Sequence, residues 1–354
     1  VRFASVEVIP YALPFKEPYV TARGVLERRE MVLLRVRDAD GVVGLGEAVP
    51  LSLRGGVSLE RVVRELEEWA ERPEDEGLSA PALCAVTTAR ADLLGRRVAV
   101  KGEGKDEAVP CNATLVAGAP EAVAADAERW ARDGFTTFKL KLGNESVSDL
   151  VEQGKSRTRG DVAQVRAVRE AVGPEARIRV DANEAWDLET AKRTLAELEP
   201  YGIELAEQPV AGLEAMAELA ASTSIPLAAD ESVATLDEAE RAVALGACAY
   251  TGIKLSKVGG PEAALAIADV LPAFITSALD GPMGIAAGAQ VARSLAATGH
   301  PERLELAHGL ATQRLFAETI AAVECELRDG MLHLPPGPGL GVEIDEEALQ
   351  AHRI

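Results

Sequence analysis

An α/β fold, a (β/α) barrel carrying a smaller α+β unit, is what this sequence predicts, on three observations. From Val109 onward, short β-rich runs alternate with Ala/Glu-rich stretches of helical spacing, about eight times over. The first hundred residues place strands before helices, and the last thirty return to strand and turn signals. No glycine-rich turn follows the first strand of the alternating region, which argues against a doubly wound dinucleotide-binding sheet.

In chain order, VRFASVEVIPYALPF and EMVLLRVRDADGVVGLGEAVP alternate like strands, with a hairpin turn at Asp38, Asp40 and Gly41. Helical spacing follows in LERVVRELEEW and ALCAVTTARADLLGR, so residues 1–105 are expected to form an α+β capping domain. Residues 106–325 hold the runs PCNATLV, TTFKLKL, ARIRVDAN, GIELAEQP, IPLAADES, AYTGIKLSK, AFITSALD and RLELAHG, expected as the eight strands of a closed barrel. Residues 326–354, beginning near RDGMLHLPPGPGLGVEI, are expected to leave the barrel and pack back on the first domain. A chain of 354 residues suits one large domain and one small.

Composition excludes several classes of function. A formal charge of −20 repels nucleic acid and anionic membranes, and no Lys/Arg-rich run with interleaved aromatics offsets it. No window resembles a membrane span, and no basic-then-apolar leader opens the chain. Cys84, Cys111, Cys248 and Cys325 lie far apart with no CxxC pair, as buried small hydrophobes of a reducing compartment would. The expectation is a cytoplasmic protein acting on a small-molecule carboxylate, with local cations to hold that substrate.

The chemistry lies in polar residues at strand ends, where barrel strands should be apolar. Asp181, Glu207, Asp230 and Lys254 follow one another at 26, 23 and 24 residues, each the length of one βα unit, which sets them at equivalent heights on one rim. Any single acidic strand end can merely cap a helix. Three converging carboxylates, however, repel unless a cation intervenes, and hard oxygen ligands suit Mg²⁺. Asn183 shares a strand face with Asp181, and Glu231 is directed away from Asp230 as a supporting partner, Lys254 being one candidate for it. Lys139 and Lys141 in FKLKL share the face toward the barrel mouth; repulsion and partial burial lower an ammonium pKa, so one of them suits a base. The bland alternative is a pair of snorkelling surface lysines. Lys254, nearly across the barrel from Lys141, is a second acid/base or a fixed cation.

Weaker candidates line the same rim. Asp280 and His308 follow at further unit lengths, and Lys257 with Gly259 and Gly260 forms a turn near the pocket or a plain loop. In the first domain, the TARG segment from Thr21 through Arg23 to Gly24, and the loop from Ser52 to Gly56, supply small polar groups and arginines for a lid over the substrate, or simply surface loops.

These motifs closely resemble the enolase superfamily, in its muconate-lactonizing-enzyme subgroup, over nearly the whole chain. The resemblance implies a modified TIM (β/α) barrel with an α+β capping domain formed by the N-terminal region and C-terminal segment. It makes Lys141 the base, Lys139 its pKa-lowering neighbour, and Asp181, Glu207 and Asp230 the ligands of Mg²⁺, with Mn²⁺ as a substitute. Within the subgroup, VPCNATLVAG, SALDGPMGIAAG, LELAHGLAT and the TARG loop look like the o-succinylbenzoate synthases of menaquinone biosynthesis, of the actinobacterial type. That similarity implies a carbon–oxygen lyase: the Lys141 equivalent removes the α-proton of a cyclohexadiene carboxylate, metal stabilises the enediolate, hydroxide leaves, and the Lys254 equivalent stabilises the intermediate through a cation–π contact. Symmetric dimers or octamers occur in related families, so a homo-oligomer is compatible with it.

Two features depart from that pattern. Residues 143–160 stretch the interval from Lys141 to Asp181 to 40 residues, as a polar insertion near the mouth. IKLSKVGG more closely resembles dipeptide epimerases and other racemases, which use the same two lysines for 1,1-proton transfer. Racemisation of an N-succinylamino acid or epimerisation of a dipeptide, with Asp280 recognising the amino terminus, is therefore the alternative reaction. A non-enzymatic binding barrel would leave the lysines and carboxylates without purpose.

Overall fold

The computed structural model describes residues 3–21, 24–50, 56–98, 107–116, 118–143, 157–297 and 306–354. Strands β1 (Ser5–Thr21), β2 (Gly24–Arg37) and β3 (Val43–Ala48) form an antiparallel sheet in the order β1-β2-β3. Pro10 and Pro14 lie in β1, an edge strand, where a missing N–H costs least. Between β2 and β3 the expected turn is present: Asp38 Oδ1 accepts from the N–H groups of Asp40 and Val42, both at 2.9 Å.

Period-two alternation gives β2 two buried faces. Val32, Leu34 and Val36 pack with Val62, Leu66 and Trp69 of α1 (Leu59–Glu71) and with Ala85, Val86 and Ala89 of α2 (Ala80–Val98). Met31 and Leu33 join Tyr11 and Leu13 in the larger core that continues into the barrel. Helix α2 lies directly on β3, and glycine permits it: a Cβ on Gly46 would fall 2.0 Å from the Ala85 carbonyl oxygen.

After β4 (Ala108–Pro110) comes the βα region, with strands β5 (Ala113–Leu115), β6 (Thr137–Lys141), β7 (Arg177–Asp181), β8 (Ile203–Glu207), β9 (Leu227–Ala229), β10 (Tyr250–Ile253) and β11 (Ala273–Ile275). They form one curled parallel sheet in that spatial order. Helices α3 (Pro120–Arg132), α4 (Arg157–Val172), α5 (Leu188–Leu198), α6 (Leu213–Ala220), α7 (Leu236–Leu245), a single turn α8 (Leu255–Val258), α9 (Pro261–Val270) and α10 (Pro282–Ala297) intervene or follow. The expected eighth strand is reduced, among the described residues, to two bridges: His308 pairs with Cys111 beside β5, and Gly309 pairs with Thr276 beyond β11. The closed ring of eight full strands is thus corrected to a seven-stranded sheet joined at its edges by a short seam, a modified barrel.

The C-terminal segment divides its pairing. β13 (Glu326–Arg328) and β14 (Met331–His333), joined through Asp329 and Gly330 at φ 50° and 71°, form a hairpin, and β14 pairs with β4. β12 (Ala321–Val323) pairs with β15 (Glu343–Ile344). Beyond α11 (Glu346–His352), Arg353 bridges to Tyr11 of β1, so the chain does return to the N-terminal sheet and the two ends of the sequence build one capping region. Among the described residues, no helix is long and apolar enough to cross a membrane. Cys84, Cys111 and Cys325 are buried thiols, and Cys248 is half-buried.

Candidate active site

Parallel register brings the polar strand ends together. Lys141 is the register partner of Asp181, and Asp181 of Glu207, so all three stand at one height on β6, β7 and β8. Asp230 and Lys254 follow directly on β9 and β10. Asp181, Glu207 and Asp230 are buried, where three carboxylates cannot all ionise without cations beside them.

Lysines supply those cations here. Lys139 Nζ bridges Asp181 Oδ2 at 2.8 Å and Glu207 Oε1 at 2.7 Å. Lys141 Nζ reaches Asp181 Oδ2 at 2.5 Å and Asn183 Oδ1 at 2.9 Å. Lys254 Nζ contacts Asp230 Oδ2, while Lys257 Nζ donates to the Asp230 carbonyl and lies 3.0 Å from its Oδ1. Exposure separates the pair on β6: the side chain of Lys139 is 6% exposed and that of Lys141 23%, so Lys141 is the one that can meet a ligand. Burial works to lower the pKa of Lys139, but its two carboxylates outweigh this and raise it strongly. Burial lowers that of Lys141, opposed by Asp181 and assisted by the neighbouring Lys139 charge.

Supporting residues fix the strand ends. Asn183 and Gln208 sit just past β7 and β8 at φ 47° and 37°, left-handed conformations that cost non-glycine residues energy and gather at functional sites. Asn183 Nδ2 donates to Glu231 Oε1 at 3.1 Å, so Glu231, for which Lys254 was a candidate partner, is tied to the Lys141 side of the site. Gln208 Oε1 accepts from the N–H groups of Asp230 and Ser232, at 2.9 and 3.1 Å, which locks the loop carrying Asp230 to the loop carrying Glu207. The sequence reading gave Gln208 no role.

The weaker rim candidates have structural partners. Asp280 Oδ2 accepts from Ser277 Oγ and the Ala278 N–H, both at 2.7 Å. His308 Nδ1 accepts from the Ile275 N–H at 3.0 Å, and burial together with the Arg179 charge pushes the imidazole down to about 3, so it is neutral in the seam. Thr21 and Gly24 end β1 and begin β2 as register partners; Arg23, Ser52 and residues 144–156 of the insertion lie outside the described residues. Two further groups escaped the sequence reading. Arg179, fully buried, crosses the barrel interior to the Ala307 carbonyl at 2.6 Å and stacks on Phe274. Glu47 of β3 reaches the barrel, accepting from Tyr11 Oη and from the Gly281 N–H, both at 2.7 Å.

As they stand, no three His, Cys, Asp or Glu side chains among the described residues are grouped to hold a metal ion; the carboxylates are closed on lysines instead. The donor set nevertheless fits a hard divalent cation, because three buried carboxylates converge and Glu207 Oε2 is buried with no hydrogen-bond partner among the described residues.

A family model described as enolase C-terminal domain-like matches residues 122–348. The chain belongs to that family and, within the enolase superfamily, to the muconate-lactonizing-enzyme subgroup, which implies a catalytic site that depends on a metal. It is 39% identical over 212 residues to an o-succinylbenzoate synthase of Thermobifida fusca (strain YX); that match covers 59% of this chain and 61% of the relative, so it spans about three fifths of the relative's length. Among solved structures it is similar to a muconate lactonizing enzyme from Pseudomonas fluorescens complexed with muconolactone, at 28% identity and TM-score 0.87 over 99% of each chain. It is also similar to a dipeptide epimerase from Enterococcus faecalis V583 complexed with Mg and the dipeptide L-Leu-L-Tyr, at 25% identity and TM-score 0.84 over 97% of this chain and all of that one.

Proposed function

We propose that this chain, as a member of the muconate-lactonizing-enzyme subgroup, removes a proton α to a substrate carboxylate and returns it on the opposite face, racemising an N-acylated amino acid or epimerising a dipeptide. The observation that carries this reading is the placement of two part-exposed lysines, Lys141 at the end of β6 and Lys254 just after β10, four positions apart around the barrel and each on a buried carboxylate. A 1,1-proton transfer requires one acid/base on each face. Asp181, Glu207 and Asp230 would hold Mg²⁺, or Mn²⁺ in its place, and the ion would stabilise the negative charge that grows on the substrate carboxylate as the proton leaves. Lys141 takes the proton at Nζ, Lys139 stays charged between Asp181 and Glu207, and Lys254 delivers a proton from the other side. The whole-length likeness to an epimerase complexed with Mg and a dipeptide supports this reading.

A second reading is favoured by the Thermobifida relative: the same first step on 2-succinyl-6-hydroxy-2,4-cyclohexadiene-1-carboxylate, followed by loss of hydroxide to give 2-succinylbenzoate. A paired assay with Mg²⁺ separates the two. Solvent deuterium entering N-succinylamino acids or dipeptides at the α-carbon supports the first. Ultraviolet detection of 2-succinylbenzoate, without exchange into those probes, overturns it in favour of the second.

A further inference from the structure

The strand that carries Lys141 ends on a buried carboxylate supplied by a helix. Lys141 closes β6, and the Leu142 N–H still donates to the Asp181 carbonyl at 2.9 Å. Gly143, at φ 74°, then turns the chain away, and its N–H donates to Asp161 Oδ1 at 3.1 Å. The other oxygen, Oδ2, accepts from Trp186 Nε1 at 3.3 Å, on the loop that leaves β7 past Asp181 and Asn183. One carboxylate thus spans the loops of both strands. The loops also touch directly, since a Cβ on Gly143 would fall 2.5 Å from the Ala185 Cβ.

Helix capping does not account for Asp161. It is the fifth residue of α4, past the cap position, and both its oxygens take donors from other segments. Burial pushes its carboxyl up from the ordinary value, against the pull of the Gly143 and Trp186 donors, so a carboxylate is costly there. One turn further along α4, the buried Gln164 accepts at Oε1 from the Gly118 N–H at 3.2 Å, on the segment that follows β5. The same face of α4 therefore fastens the chain beyond three consecutive strands, β5, β6 and β7.

We propose that Asp161 is a positioning residue for Lys141: by holding Gly143 and Trp186 at once, it fixes the end of β6 against the loop of β7 and sets the Lys141 amine between Asp181 and Asn183. The proposal rests on the reading of Lys141 as the base that takes the α-proton. Lys141 Nζ meets Asp181 Oδ2 at 2.5 Å and Asn183 Oδ1 at 2.9 Å, and both partners stand on the strand and loop that Trp186 follows. Without the carboxylate, the Gly143 N–H loses its buried acceptor and the amine drifts from those partners. Proton transfer tolerates little such drift.

Two measurements on the full chain test this. In Asp161→Ala, kcat for α-proton exchange with Mg²⁺ falls about 10²-fold, the scale of a small misplacement, while KM stays within about twofold. Competitive labelling with trace acetic anhydride, read by mass spectrometry, needs no substrate: acetylation of Lys141 relative to Lys254 rises about tenfold, the scale on which one charge-assisted hydrogen bond acts. Asp161→Asn, whose amide oxygen can still accept from Gly143, recovers most of the kcat. Trp186→Phe, which removes one donor only, shifts kcat and the labelling ratio in the same directions and is read if the alanine variant does not fold. An unchanged labelling ratio, a risen KM at unchanged kcat, or an asparagine variant no better than alanine overturns the proposal. If the wild type shows no exchange, or Lys141→Ala exchanges at the wild-type rate, the base reading falls instead, and the labelling ratio still decides whether Asp161 places Lys141.

Discussion

Lys141 Nζ lies 2.5 Å from Asp181 Oδ2, and the two residues are register partners on neighbouring parallel strands. One hydrogen bond therefore ties the candidate base to a candidate metal ligand. Burial and the Lys139 charge push Lys141 toward the neutral amine, and Asp181 pulls it back toward the ammonium. A base has to be able to visit both states.

Replacing Lys141 by alanine should lower α-proton exchange by a factor of about 10² to 10⁴, the usual contribution of a general base. The side chain is part-exposed at the mouth, so circular dichroism and the unfolding midpoint should stay close to wild type. Exchange at the wild-type rate would remove Lys141 from the mechanism.

Lys139→Met should act on the fold as well as on the reaction. It strips the shared cation from two buried carboxylates, Asp181 and Glu207, and breaking a buried pair in this way costs about 3–5 kcal/mol. Urea unfolding measures the loss. Added Mg²⁺ should recover part of it if those carboxylates take up the ion.

Glu47 gives stability a pH dependence of known sign. Burial, and then the Asp280 charge, push its carboxyl up from 4.5 to about 8, so the folded state keeps a proton that the unfolded chain releases above its ordinary pKa. Stability from this group is complete below about pH 4.5 and falls as pH rises toward 8, by at most about 1.4 kcal/mol per pH unit. In Glu47→Gln that slope disappears, while an amide oxygen remains to accept from Gly281. Melting temperatures of the two proteins between pH 5 and 8 should therefore diverge, and parallel curves would contradict the assignment.

Gly46→Ala should loosen the capping region. Its Cβ would meet the Ala85 carbonyl oxygen at 2.0 Å, a backbone atom of α2 that cannot swing aside. Overpacking of this kind costs about 1–3 kcal/mol, readable as a lowered denaturation midpoint. Gly41→Ala makes a useful contrast, since nothing lies within 4 Å of its Cβ and only its φ of 85° opposes the change.

The carboxylate rim was legible in the sequence because strand ends recur at the length of one βα unit, and a charge inside an apolar strand needs a reason. Register then brought Asp181 and Glu207 to one height, as that spacing implies, and set Lys141 beside Asp181 despite the 40 residues between them. Contacts between distant segments left no such trace. Glu47 meets Gly281 across 234 residues, and Arg179 meets Ala307 across 128, with no periodicity to announce either. Gln208 was visible as a letter between Glu207 and Pro209, but its task depends on a left-handed backbone that brings its amide beneath Asp230 and Ser232. The run LELAHG has the alternation of a strand, and only its last residues find partners among those described, because the two sheet edges approach each other over that short length.

The seam at His308 and Gly309 also bears on how the barrel breathes. Among the described residues, four main-chain hydrogen bonds hold it: Asn112 N–H to the His308 carbonyl, His308 N–H to the Pro110 carbonyl, Ser277 N–H to the Gly309 carbonyl, and Gly309 N–H to the Ile275 carbonyl. Opening them separates β5 from β11 while every pairing inside the seven-stranded sheet survives, so the first sub-global opening of the ring runs through this point. The amide protons of His308 and Gly309 should exchange with solvent ahead of those in β6 to β8, and the neutral imidazole of His308 would then meet water and gain a proton below about pH 6.5, favouring the opened ring in acid.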